Sequence, residues 1–393
     1  MSILKQNFGI DVSLADFEVA FGVLMEDHEF KILSTKTFNN TEKGINAFLQ
    51  WLNKINTKKG NPSLDVHVTL EPTGIYHEHL VYALYGHNHT LHLVLPNQAK
   101  KYGQSLGYRS KTDPLDAKSL AQMGAERKLR IWKPISNELQ RLKSLTRERA
   151  QRVQERTQAY NQRHALENSK RPLQKSIKRI QQLIDFLDRQ IKDIEGDIFN
   201  LVKKDQVLAS KMDKITSIKG VAMITAATVV AETDGFAAFT SIKQLQSYAG
   251  YDVQIKQSGK WQGRSTISKQ GNSHIRAILH MAALAAIKNT PEFYDFKQRL
   301  TAKGKANMVA ITAVERKLLV LIYTLWKKDE YYDPAFYNRQ SEKLQRQNTT
   351  SNKRNQQIQK DNTPQDKYRV MPEPVSSFGL PLNKKQWTLR PTA

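Results

Sequence analysis

At 393 residues the chain is long enough for two or three domains that each bury a core. It contains no cysteine, which excludes disulfides and thiolate metal sites, and it has neither an export-type start nor an apolar run long enough to span a bilayer, so a cytoplasmic protein without membrane contact is expected. Lys and Arg number 61 against 37 Asp and Glu, a formal charge of +24. Residues 1–125 hold 12 of each sign, so the whole surplus lies in residues 126–393, and a polyanion, most simply DNA, is the expected partner of that part.

In chain order, "FGIDVS", "DFEVAFGVLM" and "EFKILSTKTF" read as three successive strands, "TEKGINAFLQWLNKI" as a helix and "DVHVTLEPTG" as a fourth strand. A helix near 75–86 and the strand "TLHLVLP" follow. A strand meander followed by alternating strand and helix implies a mixed sheet flanked by helices, its later strands parallel. In such sheets the strand ends carry chemistry.

Asp11 lies in the first strand after "FGI", and Glu71 ends the fourth just before a Pro-Thr-Gly turn. An acid in an apolar strand is costly unless it is paired or metal-bound. The stretch "KTDPLDAKSLA" then sets Asp113 and Asp116 three positions apart at a helix start. Locally these two could be a capping device, with Asp113 as N-cap, Pro114 as first helical residue and Asp116 as the N3 residue of a capping box. Taken with Asp11 and Glu71 they could instead converge on one oxygen-rich site. Four carboxylates would repel each other without a counter-cation, and a hard divalent ion, Mg²⁺ with Mn²⁺ as the alternative, suits such ligands and bridges phosphate oxygens.

"GIDVS" with Asp11, "LEPTGIY" with Glu71 and "KTDPLDAKSLA" with Asp113 and Asp116 resemble the DEDD signature of the insertion-sequence transposases that include Piv-like DNA invertases and bridge-RNA-guided recombinases. The resemblance implies a RuvC-like, ribonuclease-H-type α/β fold for residues 6–130, with those four acids as catalytic metal ligands. It also suggests a structured guide RNA that pairs with DNA.

The middle, 136–204, reads as helical. Ile177, Ile180, Ile184, Leu187, Ile191, Ile194, Ile198 and Leu201 recur three and four apart, the a/d seam of a helical hairpin or of an intermolecular coiled coil, and "SKRP" at 169–172 separates this helix from a more polar, Arg-rich one. Family members assemble through a coiled coil, so the resemblance implies a homo-oligomer, dimer or tetramer.

Residues 212–335 read as a mainly α domain opening with "ITSIKGVAMITAATVVAE", which is either a helix-hairpin-helix able to offer backbone N–H groups around Gly220 to a DNA phosphate or a simple packing corner. "QSGKWQGRSTISKQGN" is rich in Gly, Ser and basic residues and is expected to be exposed. By composition Ser258, Ser265 and Ser268 are ordinary loop serines. The resemblance singles out Ser258, after the Ala249–Gly250 corner, as the nucleophile. Where the family carries a Thr-Pro-Arg step this chain has "YDVQ", leaving Lys256, Lys260 or Arg264 to contact phosphate. Residues 340–393 are Gln/Asn/Lys-rich and expected to be a disordered tail. "GQSLG" at 103–107 matches a nucleophile elbow but does not follow its strand directly, and "HEH" at 77–79 lacks zinc spacing.

The expectation is a DNA transposase or site-specific recombinase. A metal-dependent, Holliday-junction-resolvase-like nuclease and a non-enzymatic basic DNA-binding protein are the alternatives.

Overall fold

Along the first strand Phe8, Ile10 and Val12 alternate with Asn7, Gly9 and Asp11, and a pleated strand turns two such sets to opposite faces. The computed structural model describes residues 2–335 apart from 73, 109–111, 238, 255–256, 260 and 264–265, and gives backbone alone at 261–262. The expectations for Lys256, Lys260, Arg264, Ser265 and the 340–393 tail lie outside the described residues.

Strand β1 (Ile3–Val12) pairs antiparallel with β2 (Asp16–Met25), which pairs antiparallel with β3 (Phe30–Asn39). Helix α1 (Glu42–Lys59) leads to β4 (His67–Leu70), and α2 (Glu78–Gly86) leads to β5 (Thr90–Leu93). β4 runs parallel to β1 and β5 parallel to β4, giving the order β3-β2-β1-β4-β5. This meander followed by parallel strands is the ribonuclease-H-type arrangement that the motifs implied.

One face of the sheet is closed by α1, whose buried Ile45, Phe48, Leu49, Leu52 and Ile55 recur at helical spacing. Phe8 stacks on Phe21 at 4.4 Å, and Phe17 meets Phe48 edge-on at 5.5 Å. Each such side chain contributes about 1.5–3 kcal/mol by its burial. The chain then forms α3 (Pro96–Ser105) and α4 (Asp113–Glu126), and α4 closes the opposite face with small residues, Ala117, Ala121 and Gly124. Ser105 ends a helix and donates its hydroxyl to the Tyr102 carbonyl, so "GQSLG" is no nucleophile elbow.

Helices α5 (Asn137–Glu167) and α6 (Gln174–Lys204) form an antiparallel hairpin. Arg149 pairs with Glu195, Arg156 with Asp188, and Arg163 donates to Gln181, so the partners step seven residues along each helix in opposite directions. The seam residues Ile184, Leu187, Ile191, Ile194 and Ile198, with Val202, are buried. Within one chain the seam closes as the hairpin.

Next come α7 (Gln206–Thr216), α8 (Met223–Glu232), α9 (Ile242–Tyr248), two short ladders formed by β6 (Val253–Gln254) with β9 (Thr266–Ile267) and β7 (Gln257–Ser258) with β8 (Trp261–Gln262), and α10 (Ser273–Asn289). Helices α11 (Pro291–Ala302) and α12 (Asn307–Lys328) end the described chain. The residues divide into two units, Met1–Ala209 with Met223–Ile278, and Ser210–Ala222 with Leu279–Ala393. In the second unit Lys214 pairs with Asp329 at 2.7 Å and His280 meets the buried Glu315 at 2.8 Å. Gly220, at φ +99°, lies so close to α10 that an added Cβ would stand 2.6 Å from the Ala286 nitrogen. This close approach packs the Gly220 turn against α10. No helix among the described residues is long and apolar enough to cross a membrane.

Candidate active site

Asn7 and Gly9 sit on the α4-facing side of β1. Asn7 donates its side-chain amide to the Ala121 carbonyl at 2.9 Å, and a Cβ on Gly9 would fall 2.1 Å from both the Ala117 oxygen and the Ala121 nitrogen. The strand's period of two places Asp11 on that same side. On β4, Thr69 also faces α4, since its hydroxyl donates to the Asn7 side-chain oxygen at 3.1 Å and crowds Gly124. Gly9 and Ile10 are in register with Thr69 and Leu70, so the next step along the two parallel strands brings Asp11 level with Glu71.

α4 runs against the direction of β1. Its Gly124 carbonyl accepts from Lys5 at 2.6 Å near the start of the strand, while Ala117 lies over Gly9. Two residues of strand and four of helix both advance about 6–7 Å. Asp113 is therefore carried to the level of Asp11, and Asp116 sits within one turn of it. The N-cap of α4 is Thr112, with no side-chain cap hydrogen bond, which puts Asp113 at N1 and Asp116 at N4. The capping box that the local spacing allowed is not formed, because Asp116 lies one residue past the N3 position it requires.

Asp113 is exposed, whereas Asp11, Glu71 and Asp116 are half-buried. The backbone thus directs four hard oxygen donors to one end of the sheet, a donor chemistry suited to Mg²⁺ or Mn²⁺. Among the described residues, however, no three His, Asp or Glu side chains stand together as a metal-binding group.

Ser258 is exposed on β7, next to Gly259 at φ +56°, where an added Cβ would meet nothing within 4 Å. Ser268 differs. Its hydroxyl donates to Asp252, and its backbone N–H donates to the Asp252 carbonyl at 2.8 Å, tying the two ends of this segment together. His274 donates its backbone N–H to the Asn272 side chain at 2.9 Å.

A polar cluster in the same unit was not singled out from the sequence. Glu232, at the end of the apolar α8, is 1 % exposed and accepts a two-pronged contact from Arg147 of α5, with Nε to Oε1 at 2.7 Å and Nη2 to Oε2 at 2.9 Å. Asn272 donates to the same carboxylate at 2.7 Å, and Tyr248 donates to the Glu232 carbonyl at 2.9 Å. Burial alone would raise the Glu232 pKa. The hydrogen bonds from Arg147 and Asn272, with the charges of Arg147 and Lys143, outweigh it and hold the carboxyl below its ordinary range. The reasoning used for Asp11, an acid embedded in apolar sequence, would have found Glu232 too.

Residues 8–169 match a family model described as a transposase (DEDD_Tnp_IS110), and residues 212–298 match the transposase IS116/IS110/IS902 family. The chain belongs to this transposase family. Its likeness to proteins of known name differs in extent. The pilin gene-inverting protein of Moraxella bovis is 28% identical over 335 residues, which is 85% of this chain and 99% of that protein. The IS900 42 kDa protein of Mycobacterium paratuberculosis is 26% identical over 122 residues, 31% of each chain. Among solved structures, Thermus thermophilus RuvC aligns with 33% of this chain and all of its own at 10% identity and a TM-score of 0.26. The DEDD transposase match spans Asp11, Glu71, Asp113, Asp116 and Arg147, and the second match spans Glu232, Tyr248, Ser258 and Asn272.

Proposed function

We propose that this transposase cuts and rejoins DNA by transesterification, with Ser258 as nucleophile and Asp11, Glu71, Asp113 and Asp116 as the acids that serve the scissile phosphate. The observation that carries the recombinase reading is the similarity, over 99% of its length, to a gene-inverting protein. The chemistry is that of a phosphoserine intermediate. As the Ser258 Oγ–phosphorus bond forms, the bond from phosphorus to the leaving sugar oxygen breaks, and the serine proton ends on that oxygen. Attack by a second DNA hydroxyl reverses the exchange and restores both the phosphodiester and the serine. Bond energy is conserved throughout, so no nucleotide is consumed.

A serine hydroxyl is a weak nucleophile near neutral pH and needs activation. A divalent ion held by the four carboxylates, Mg²⁺ or Mn²⁺, would neutralise charge on the phosphate and ease loss of the serine proton. The contribution of the chain itself is placement: α4 pressed onto Gly9 sets the depth of Asp113 and Asp116, and the open surface at Gly259 lets a phosphate reach Ser258.

The partner is DNA, contacted by the basic residues after 126, in a cytoplasmic setting. On this reading sequence choice comes from a structured guide RNA, because the candidate contacts here are phosphate-directed loops and Arg-rich helices. The protein acts as a homo-oligomer. With the α6 seam covered inside one chain, the exposed Leu183, Phe186 and Phe199 on the same helix offer a surface for a second copy.

The deciding experiment incubates the full-length protein with its own element ends and Mg²⁺ and looks for protein–DNA adducts under denaturing conditions, mapping the site by mass spectrometry. An adduct on Ser258 is expected. Cleavage without any adduct would mean that water attacks, and the chain would then be a nuclease. Sequencing RNA that copurifies with the protein, and repeating recombination after ribonuclease treatment, tests the guide: undiminished recombination by RNA-free protein rejects it.

A further inference from the structure

The segment from Tyr251 to Gln270 leaves and rejoins the helical body at one neck. At its start Gly250 takes φ +75°, and Arg276 donates to the Ala249 carbonyl at 2.8 Å. At its end the Asn272 backbone N–H donates to the Tyr248 carbonyl at 2.8 Å, and Gly271 lies so close that an added Cβ would stand 2.4 Å from that same oxygen. The Lys269 N–H donates to the Gly250 carbonyl at 3.1 Å across the neck. Asn272 also caps α10, its side-chain oxygen accepting from the backbone of His274 and Ile275 at 2.9 and 3.1 Å. Both ends of the segment carrying Ser258 are therefore fixed through Tyr248 and Asn272.

Those two residues are bound to Glu232. Its carboxylate accepts from Asn272 and twice from Arg147, and its carbonyl accepts from Tyr248. One buried residue thus ties α5, α8, α9 and the start of α10. The Glu232 side chain is fully enclosed while that of Arg147 is 50% exposed. A buried ion pair is weak evidence of stability, since apolar replacements often do as well. What a forked guanidinium–carboxylate contact adds is direction, because two parallel hydrogen bonds fix angle as well as distance.

We propose that the Arg147–Glu232 pair, through Asn272 and Tyr248, holds the neck of the Ser258 segment in register with α5, making Arg147 and Glu232 positioning residues for strand cleavage. This rests on the reading of Ser258 as nucleophile. A neck free to tilt moves a reactive atom at its tip by an ångström or more, enough to lower the rate about 10- to 100-fold without loss of binding.

The test uses the full-length protein carrying Arg147→Lys, Arg147→Met, Glu232→Gln or Tyr248→Phe. Three quantities are read: the rate of adduct formation at saturating DNA, the DNA Kd, and amide exchange at Ser268, Lys269 and Asn272. Expected is an adduct rate down about 10- to 100-fold in both Arg147 variants and in Glu232→Gln, with a smaller loss in Tyr248→Phe, an unchanged Kd and faster exchange at the neck. Arg147→Lys keeps the charge and loses the fork, so its falling with Arg147→Met marks geometry as the cause. Folded Arg147→Lys and Tyr248→Phe proteins with the wild-type rate and wild-type exchange overturn the proposal, and these two decide the matter if Glu232→Gln does not fold. If Ser258→Ala still forms the adduct, the nucleophile reading fails, and the exchange data then judge the clasp by themselves.

Discussion

At the scale of single residues, Asp11 and Glu71 end adjacent parallel strands on the side covered by α4. Asp11→Ala or Glu71→Ala should abolish strand cleavage while leaving DNA affinity within about 2-fold, because the positive charge lies elsewhere in the chain. Cleavage by either variant at the normal rate in Mg²⁺ would remove these acids from the chemistry. The two described serines should part company. Ser258→Ala is expected to lose the adduct, whereas Ser268→Ala should keep it and lose about 1 kcal/mol of stability with its hydrogen bond to Asp252. The acids were legible in the sequence because charge inside an apolar strand breaks the local pattern. Thr112 and Asp113 are both good N-caps, so the spacing could not tell which begins α4, and the capping-box reading was off by one residue. Glu232 carries the same signal, an acid ending an apolar stretch, but its side-chain partners, 85 and 40 residues away, leave no local pattern.

At the scale of elements, the depth of α4 is set by the missing side chain at Gly9. A Cβ there meets helix backbone at 2.1 Å, which no rotamer change relieves. Gly9→Ala should cost about 1–3 kcal/mol by overpacking and, by lifting Asp113 and Asp116 away from β1, reduce cleavage more than it reduces the folded fraction. Thermal melts and cleavage assays on one preparation compare the two. Strands β4 and β5 carry a second linkage, in which His67 Nδ1 lies 3.0 Å from His92 Nε2 and His92 Nδ1 lies 2.9 Å from the Arg130 carbonyl. That carbonyl must accept, so neutral His92 presents a bare Nε2 to the His67 N–H. Burial lowers both pKa values, reinforced by the neighbouring charges of Lys5 and, for His67, of His92. The unfolded chain takes up these protons near pH 6.5 and the folded pair only lower. The pair's contribution is therefore complete above about pH 6.5 and is lost as pH falls from there through the depressed folded values. His92→Gln should flatten the fall in Tm between about pH 7 and 5; a slope identical to wild type would show that the pair does not govern it. Strand and helix periodicity made the sheet and both long helices legible, but periodicity says only that a face is buried. That α6 buries its seam against α5 depends on the chain reversing at 168–173, where no hydrophobic pattern reports the direction of the return.

For the whole molecule, the division of charge is the property that composition reveals most directly. With the entire +24 after residue 125, affinity for DNA of arbitrary sequence should fall steeply with salt, by about 10³–10⁵ between 50 and 200 mM if 6–10 phosphates are contacted. A slope near zero in a filter-binding titration would contradict phosphate contact by the basic part.

The neck at Gly250 and Gly271 also bears on how such proteins diversify. Because the chain departs and returns at one clamped point, what lies beyond it can change length with little effect on the helices beneath, the loop-closure cost growing only slowly with added residues. Among the described residues, nothing lies within 4 Å of where a Gly259 Cβ would stand. The segment is thus an exchangeable cassette on a fixed mount. Four Gly/Ser residues inserted after Gly259 should leave the melting temperature unaltered while abolishing the adduct. A cassette transplanted from a relative with its neck residues intact should keep both the melting temperature and the adduct.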